Sequence, residues 1–265
     1  MSYPPVRAQR ASLWPREHGA YVQLLGPLLI ALFFVRPSAT TLTWAVMVVC
    51  LFLLHEPVML LLGRRGERAK AELGFLARHR AEWLGVVAAV TGFGGLTQAS
   101  WEAALWFVVS LGFALLSARF LFAKQERTVR GQLVVGVALA SFTMPMLVSS
   151  AVPSARALCL TGTLALTHAL GCITARGVIY RKQDAGRLLH VAAFAAFLAA
   201  LLLGLVHRSV MPLAWSLAPL PFAGIAGALA LGLFSPRSPK PVGWALTAAS
   251  CVAMLLFGWG FAGSG

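Results

Sequence analysis

The chain has 265 residues, of which 59% are hydrophobic and 11% are charged. Soluble globular domains contain about 45–50% apolar and about 25% charged residues, so this composition excludes an ordinary soluble domain and is typical of a membrane protein. The formal net charge of +14 would suggest nucleic-acid binding in a soluble chain. In a membrane chain it indicates basic cytoplasmic loops, and no nucleic-acid partner is expected.

Nine apolar stretches approach the roughly 20 residues that a helix needs to cross the hydrocarbon core. They cover residues 20–35, 41–63, 83–99, 101–123, 131–152, 155–175, 190–206, 209–234 and 242–263. Pro145 predicts a kink in the fifth stretch, and Pro212, Pro219 and Pro221 predict an interrupted eighth helix. The sequence therefore predicts an all-α, polytopic transmembrane bundle of about nine helices in a single domain, with eight spans left open as an alternative.

The distribution of Lys and Arg predicts the orientation of this bundle. Eighteen of these residues fall in the segments on one side, and only Arg36, Arg156 and Arg208 fall on the other. Because short basic loops stay in the cytoplasm, the N-terminal tail (1–19) and the longest loop (64–82) are expected on the cytoplasmic side of the inner membrane. The longest loop is expected to form an amphipathic helix, and nine spans would leave the C-terminus outside.

All four cysteines lie inside apolar runs, and no CxxC motif occurs. They are Cys50, Cys159, Cys172 and Cys251. This pattern predicts neither a disulfide framework nor a cysteine-based zinc site, and the cysteines are interpreted as small apolar residues of the helix packing.

Ionisable residues at membrane depth cost about 2.5–3.5 kcal/mol at mid-span, so each is a functional candidate. Glu56 in the second stretch lies eight residues before Arg64. His168 in the sixth stretch lies eight residues before Arg176. At about 1.5 Å per residue, both side chains are expected about 12 Å from the cytoplasmic edge. Together with Arg119 they predict a polar cavity in the inner leaflet that opens to the cytoplasm.

The candidate catalytic residues are the ionisable groups expected in or next to this cavity. They are Glu17, His18, His55, Glu56 and His168. Acid and base roles suit these side chains. A structural role is left open for three of them. His168 would then form a hydrogen bond between helices, and Glu17 and His18 would cap the first helix.

The candidate substrate-binding residues surround the predicted cavity at the cytoplasmic rim. They are Arg16, Arg64, Arg65, Arg119, Lys124, Glu126, Arg127 and Arg176. Arginine binds phosphate bidentately, which would suit a phosphate or diphosphate head group. Topology and anionic lipids select the same residues without any specific site, and that alternative is left open. The His and Glu residues offer ligands for a metal, but their spacing indicates no specific site, so no metal ligand is assigned and both metal binding and the cofactor are left open.

The segment Pro15-Arg16-Glu17-His18-Gly19-Ala20 leads directly into the first apolar stretch. It resembles the Pro-x-x-His-Gly-Ala opening of the YwiC-like bacterial membrane proteins. The intramembrane His55-Glu56-Pro57 and the loop Lys124-Gln125-Glu126-Arg127 are compatible with that family. The likeness would cover most of the chain, and it implies a multi-pass membrane protein without implying an activity.

A more distant resemblance is to the UbiA superfamily of intramembrane prenyltransferases. That superfamily has about nine helices around a cytoplasm-facing cavity, and two aspartate-rich motifs on its second and sixth spans hold diphosphate through magnesium. His55, Glu56, His168 and Arg176 fall on the second and sixth spans here. The chain has a single aspartate, Asp184, so neither motif is present and the likeness is one of topology.

These observations leave three functional classes. The first is a UbiA-like transferase that acts on a phosphorylated isoprenoid or another anionic lipid, which requires a cavity closed toward the outer face. The second is a proton-coupled or anion transporter, which requires a midplane site reachable from both sides. The third is a non-catalytic assembly factor. Membrane lipids are the expected partners in every case, and the oligomeric state is left open.

Overall fold

The computed structural model describes residues 13–14, 18–125, 128–179, 185–207, 211–231, 233 and 240–262. Over these ranges the regular structure is helical. The helices are α1 (His18–Phe33), α2 (Ala39–Leu61), α3 (Glu67–Gln98), α4 (Trp101–Phe122), α5 (Val129–Ser141), α6 (Thr143–Ser149), α7 (Ser154–Ile179), α8 (Ala185–His207), α9 (Leu213–Leu217), α10 (Leu220–Ala230) and α11 (Lys240–Ala262). The predicted all-α class is confirmed, and α5–α6 and α9–α10 occupy the two stretches in which proline predicted a break.

Several of these helices are suited to crossing a membrane. Within the described ranges, five helical segments are long and apolar enough: Ala39–Leu61, Trp101–Phe122, Val129–Ser149, Ser154–Arg176 and Pro241–Ala262. Shorter apolar helical segments cover Gln23–Phe33, Phe194–Leu205 and Leu213–Leu229. A helix satisfies its backbone hydrogen bonds internally, which is what the hydrocarbon core demands. The chain is a multi-pass membrane protein.

The third helix is longer than the sequence pattern predicts. The helix predicted within the loop at 64–82 is the first half of α3, which continues without interruption from Glu67 to Gln98 through the stretch predicted as the third span. Its 32 residues extend about 48 Å, which exceeds the roughly 30 Å hydrocarbon core. No proline occurs between these ends to stop the helix.

The break between α5 and α6 follows from Pro145. Proline has no N–H to donate to the carbonyl four residues earlier, which is that of Ser141. The hydroxyl of Ser110 on α4 donates to this carbonyl over 2.9 Å instead. The neighbouring helix therefore satisfies the backbone group that proline leaves unpaired.

Helices α2 and α3 form a closely packed hairpin. Trp44 on α2 is fully buried, and its Nε1 donates to the Gly92 carbonyl on α3 over 3.3 Å. A Cβ atom at Gly95 would collide with the Trp44 ring, whereas a Cβ atom at Gly94 would have no neighbour within 4 Å. Glycine at position 95 therefore lets the tryptophan approach the backbone of α3. The turn of this hairpin carries Arg64 and Arg65.

Candidate functional site

The turn between α2 and α3 is set by glycine. Gly63 has a φ of 72°, a left-handed conformation that glycine adopts without steric cost. Its N–H donates to the Leu60 carbonyl over 2.9 Å, and the Arg64 N–H donates to the Met59 carbonyl over 3.0 Å. These two bonds form a Schellman motif, which ends α2 and reverses the chain. The reversal brings Arg65 back to the side of α2.

Arg65 holds the buried carboxylate of Glu56. Its Nε donates to Glu56 Oε2 over 3.0 Å, and its Nη2 donates to Oε1. Glu56 is only 4% exposed, and a carboxylate with so little access to water needs a cation or hydrogen-bond donors. His55 Nδ1 lies 3.9 Å from Glu56 Oε1, and the His55 side chain is 44% exposed. Three of the predicted site residues thus form one group.

Arg64 joins this turn to the end of α4. Its Nη2 donates to the Leu121 carbonyl over 3.4 Å and to the Phe122 carbonyl over 3.2 Å. These carbonyls lie in the last turn of α4, where the helix dipole favours a cation. The hydrogen bonds of Arg64 therefore connect the α2–α3 turn to the α4–α5 turn.

The α4–α5 turn itself has unusual backbone geometry. Lys124 has a φ of 63°, which is uncommon for a residue with a side chain. The Gln125 N–H donates to the Phe120 carbonyl over 2.9 Å, and the Lys124 N–H donates to the Leu121 carbonyl over 3.1 Å. This second Schellman motif ends α4.

The two joined turns carry several basic side chains, and we call them the basic edge: Arg64, Arg65, Arg119, Lys124 and Arg130. Arg119, Lys124 and Arg130 are exposed, whereas Arg64 and Arg65 are partly buried and engaged as described above. The predicted rim residues therefore differ in what they contact. Arg64 and Arg65 bond to other parts of the protein, whereas Arg119, Lys124 and Arg130 are exposed.

A second polar group lies between α1, α5 and α7. Arg176 Nε donates to Gln132 Oε1 over 2.8 Å. One turn along α7, the Cys172 thiol donates to the Gln132 backbone carbonyl over 3.9 Å and accepts from Gln23 Nε2 over 3.1 Å. Residues four apart lie on one face of a helix, so His168 continues this line by a further turn. We call these residues the polar seam: Gln23, Gln132, His168, Cys172 and Arg176.

His168 is buried at the inner end of the polar seam. Its Nδ1 lies 3.3 Å from the Gly136 carbonyl, and since a carbonyl only accepts, Nδ1 is the donor. Its Nε2 faces α1, where a Cβ atom built on Gly26 would lie 3.7 Å away. Glycine on both α1 and α5 therefore leaves room for the imidazole between the helices.

The structure places the candidate catalytic residues in two groups. The partners of Glu56 come from the α2–α3 turn, and those of His168 come from α5 and α1. A cavity shared by Glu56 and His168 stays a prediction. Among the described residues, no group of three or more His, Cys, Asp or Glu could hold a metal ion.

Some predicted residues lie outside the described ranges. These are Arg16, Glu17, Glu126 and Arg127; His18 is the first residue of α1, but its side chain is also outside them. Other residues near the start of α1 lie within the described ranges. The Tyr21 ring on α1 lies 5.3 Å from the Phe52 ring on α2, centroid to centroid, one turn from His55 and Glu56. The start of α1 is thus next to the first polar group.

Sequence reasoning missed Gln23 and Gln132, because it considered only ionisable side chains at membrane depth. Both amides stand in mainly apolar surroundings in the sequence, and each precedes a glycine by three or four residues on the same helix. That pattern of an amide beside a small residue is a usable signal, since small residues let helices approach closely enough for side chains to bond across them.

Comparison with known proteins supports a family assignment. A family model described as YwiC-like protein matches residues 14–147, just over half of the chain. No curated protein matches the sequence, and no solved structure matches it. The matched range contains the opening of the first helix, the intramembrane His-Glu-Pro and the basic edge. The chain therefore belongs to the YwiC-like family.

Proposed function

We propose that this protein is a membrane enzyme that acts on a phosphorylated isoprenoid or another anionic lipid, with the head group at the basic edge. The observation that carries the proposal is the contact of Arg64 with the α4 carbonyls. This contact joins two turns, so that basic side chains from α2–α3 and α4–α5 form one surface. Such a surface attracts anionic head groups.

Arg119, Lys124 and Arg130 are the proposed head-group ligands among the described residues, because they are exposed. A guanidinium presents paired N–H donors that match phosphate oxygens. Arg16 and Arg127 extend this proposed set. Arg65 and Arg176 already bond to Glu56 and Gln132, so we assign them positioning roles.

His55 is the proposed acid–base group. Its side chain is 44% exposed, and Glu56 lies on its Nδ1 side at 3.9 Å. A carboxylate in that position orients the imidazole, and Nε2 is the proposed site of proton exchange with a bound substrate. Glu17 and His18 are further candidates, since the start of α1 lies next to this part of α2.

The test is to purify the full chain from membranes and identify the retained lipids by native mass spectrometry. We expect a phosphorylated isoprenoid or another anionic lipid, and Arg119→Gln should lower its retention about two- to fivefold, as for an exposed ionic contact. Arg36→Gln removes the same charge from an exposed site between α1 and α2 and should leave retention unchanged. Equal retention of the anionic lipid in wild type, Arg119→Gln and Arg36→Gln would contradict the proposal.

The polar seam favours a second candidate, a proton-coupled or anion transporter. Its side chains come from three helices and lie within the apolar segments, where polar groups often line solute pathways. Proteoliposomes with an entrapped pH dye test this function. A proton or anion flux that is lost in His168→Phe and kept in His79→Phe, on the exposed part of α3, would support transport. Absence of flux would leave the enzyme as the better proposal.

A further inference from the structure

A cavity lies between α4, α5–α6 and α7, away from both polar groups. Its volume is about 150 Å³, and its walls include Trp106, Phe113 and Met144. Other wall residues are exposed, with Leu158 at 51% and Val109 at 41%. Exposed apolar side chains on these helices face the surrounding lipid, so the cavity opens sideways into the membrane.

Thr161 gives this apolar cavity one polar contact. It is 8% exposed and lines the cavity, and its hydroxyl has no hydrogen-bond partner among the described residues. Neighbouring hydroxyls on α7 do bond to their own helix: Thr163 donates to the Cys159 carbonyl over 2.8 Å, and Thr167 donates to the Leu164 carbonyl over 2.7 Å. Among the described residues, the buried hydroxyls of Thr143 and Thr174 also have no partner, but of these three only Thr161 lines the cavity. A buried hydroxyl without a partner is costly, so Thr161 is the donor that the cavity offers to a ligand.

The other hydroxyls in the cavity wall are already engaged. Ser110 Oγ lies 2.9 Å from both the Trp106 and the Ser141 carbonyl oxygens, which share its single proton, and Ser141 donates to the Ala138 carbonyl over 2.8 Å. The rest of the wall is mostly hydrocarbon and aromatic surface. A matching ligand therefore has an apolar body with one oxygen acceptor.

We propose that this cavity binds the apolar part of a membrane-dissolved molecule beside a carbonyl oxygen, and that Thr161 Oγ1 donates to that oxygen. A cavity of about this volume holds a benzene-sized group. The carbonyl can be the ester of an acyl chain or that of a quinone. The site is distinct from the basic edge: Phe113 lies eleven residues before Lys124, about 16 Å along α4. Binding in this cavity therefore does not depend on head-group binding at the basic edge.

Trp106 in the cavity wall provides the readout. The full chain is reconstituted in vesicles of a dialkyl-ether phosphatidylcholine, which carries no ester carbonyl, and titrated with a brominated acyl ester, a short-chain quinone, or a bromoalkane without oxygen. Each probe quenches tryptophan fluorescence, and the difference between wild type and Trp106→Phe isolates the signal of the cavity. We expect saturable quenching of Trp106 by the ester or by the quinone, and the comparison of the two identifies the natural class.

Thr161→Val keeps the shape of the side chain and removes the donor. It should weaken binding of the oxygen-bearing probe about 3- to 10-fold and leave the bromoalkane unchanged, because only one neutral hydrogen bond is lost. Gly162→Leu should abolish saturable quenching by every probe, since Gly162 lines the cavity and has open space at its Cβ position.

Gly112→Leu is the matched control, because Gly112 on α4 also has open space and does not line the cavity. It should bind all probes as wild type does. The proposal is overturned if Trp106 quenching does not saturate in wild type, if Thr161→Val binds ester and quinone unchanged, or if Gly112→Leu loses binding as Gly162→Leu does.

Discussion

Glu56 and Arg65 form an ion pair whose two members differ in burial. Glu56 is 4% exposed and Arg65 is 29% exposed. Without its partner, the carboxylate would therefore have almost no access to water, whereas the guanidinium would still be partly hydrated. Removing one partner of a buried pair leaves an uncompensated charge, which destabilises strongly. Arg65 therefore compensates the buried charge of Glu56 and links the α2–α3 turn to α2, whatever else the site binds.

Arg65→Gln should lower the free energy of unfolding by about 2–4 kcal/mol, somewhat less than for a fully buried pair. Glu56→Gln combined with Arg65→Gln should recover much of this loss, because the buried charge is then gone. The midpoint of thermal unfolding in detergent measures both effects. A single variant as stable as wild type would show that Glu56 finds another cation.

At the scale of helices, glycine decides how closely α2 and α3 pack. Gly95→Ala should destabilise the protein by about 1–3 kcal/mol, because the new methyl group collides with the fully buried Trp44. Gly94→Ala on the next residue meets nothing within 4 Å and should be neutral or stabilising by up to about 1 kcal/mol. Thermal unfolding of the two variants provides the comparison, and equal effects would argue against this helix packing.

The break between α5 and α6 makes a different prediction. Ser110→Ala removes the donor to the Ser141 carbonyl and should cost about 1–3 kcal/mol. In a Pro145→Ala background the backbone N–H at position 145 can bond to that carbonyl, so Ser110→Ala should then cost much less. A double-mutant cycle of unfolding midpoints measures this coupling. Additive effects of the two substitutions would contradict the assigned role of Ser110.

At the scale of the whole molecule, charge distribution predicts which side of the membrane each loop faces. In a cysteine-free variant, Lys124→Cys should react with a membrane-impermeant maleimide only after cells are permeabilised, because the basic loops are expected in the cytoplasm. Arg36→Cys, at the other end of the bundle, should react in intact cells. Labelling of Lys124→Cys in intact cells would reverse the proposed orientation.

The sequence predicted some parts of the candidate site better than others. Glu56 and His168 were recognisable as ionisable residues in apolar runs. Arg65 as the partner of Glu56 was not recognisable, because nine residues and a change of direction separate them. Gln132 and the cavity beside Thr161 were missed, because both depend on how neighbouring helices are rotated.

The sequence by itself determined the membrane class, the helical fold and the places where helices break. Those properties are local, because a helix in hydrocarbon satisfies its own backbone and proline interrupts only its own segment. The tertiary structure decided which polar groups meet: Arg65 with Glu56, Arg64 with the end of α4, and Arg176 with Gln132. Such pairs arise from turn geometry and from the rotation of each helix about its axis, which hydrophobic patterning does not specify when every face of a helix is apolar.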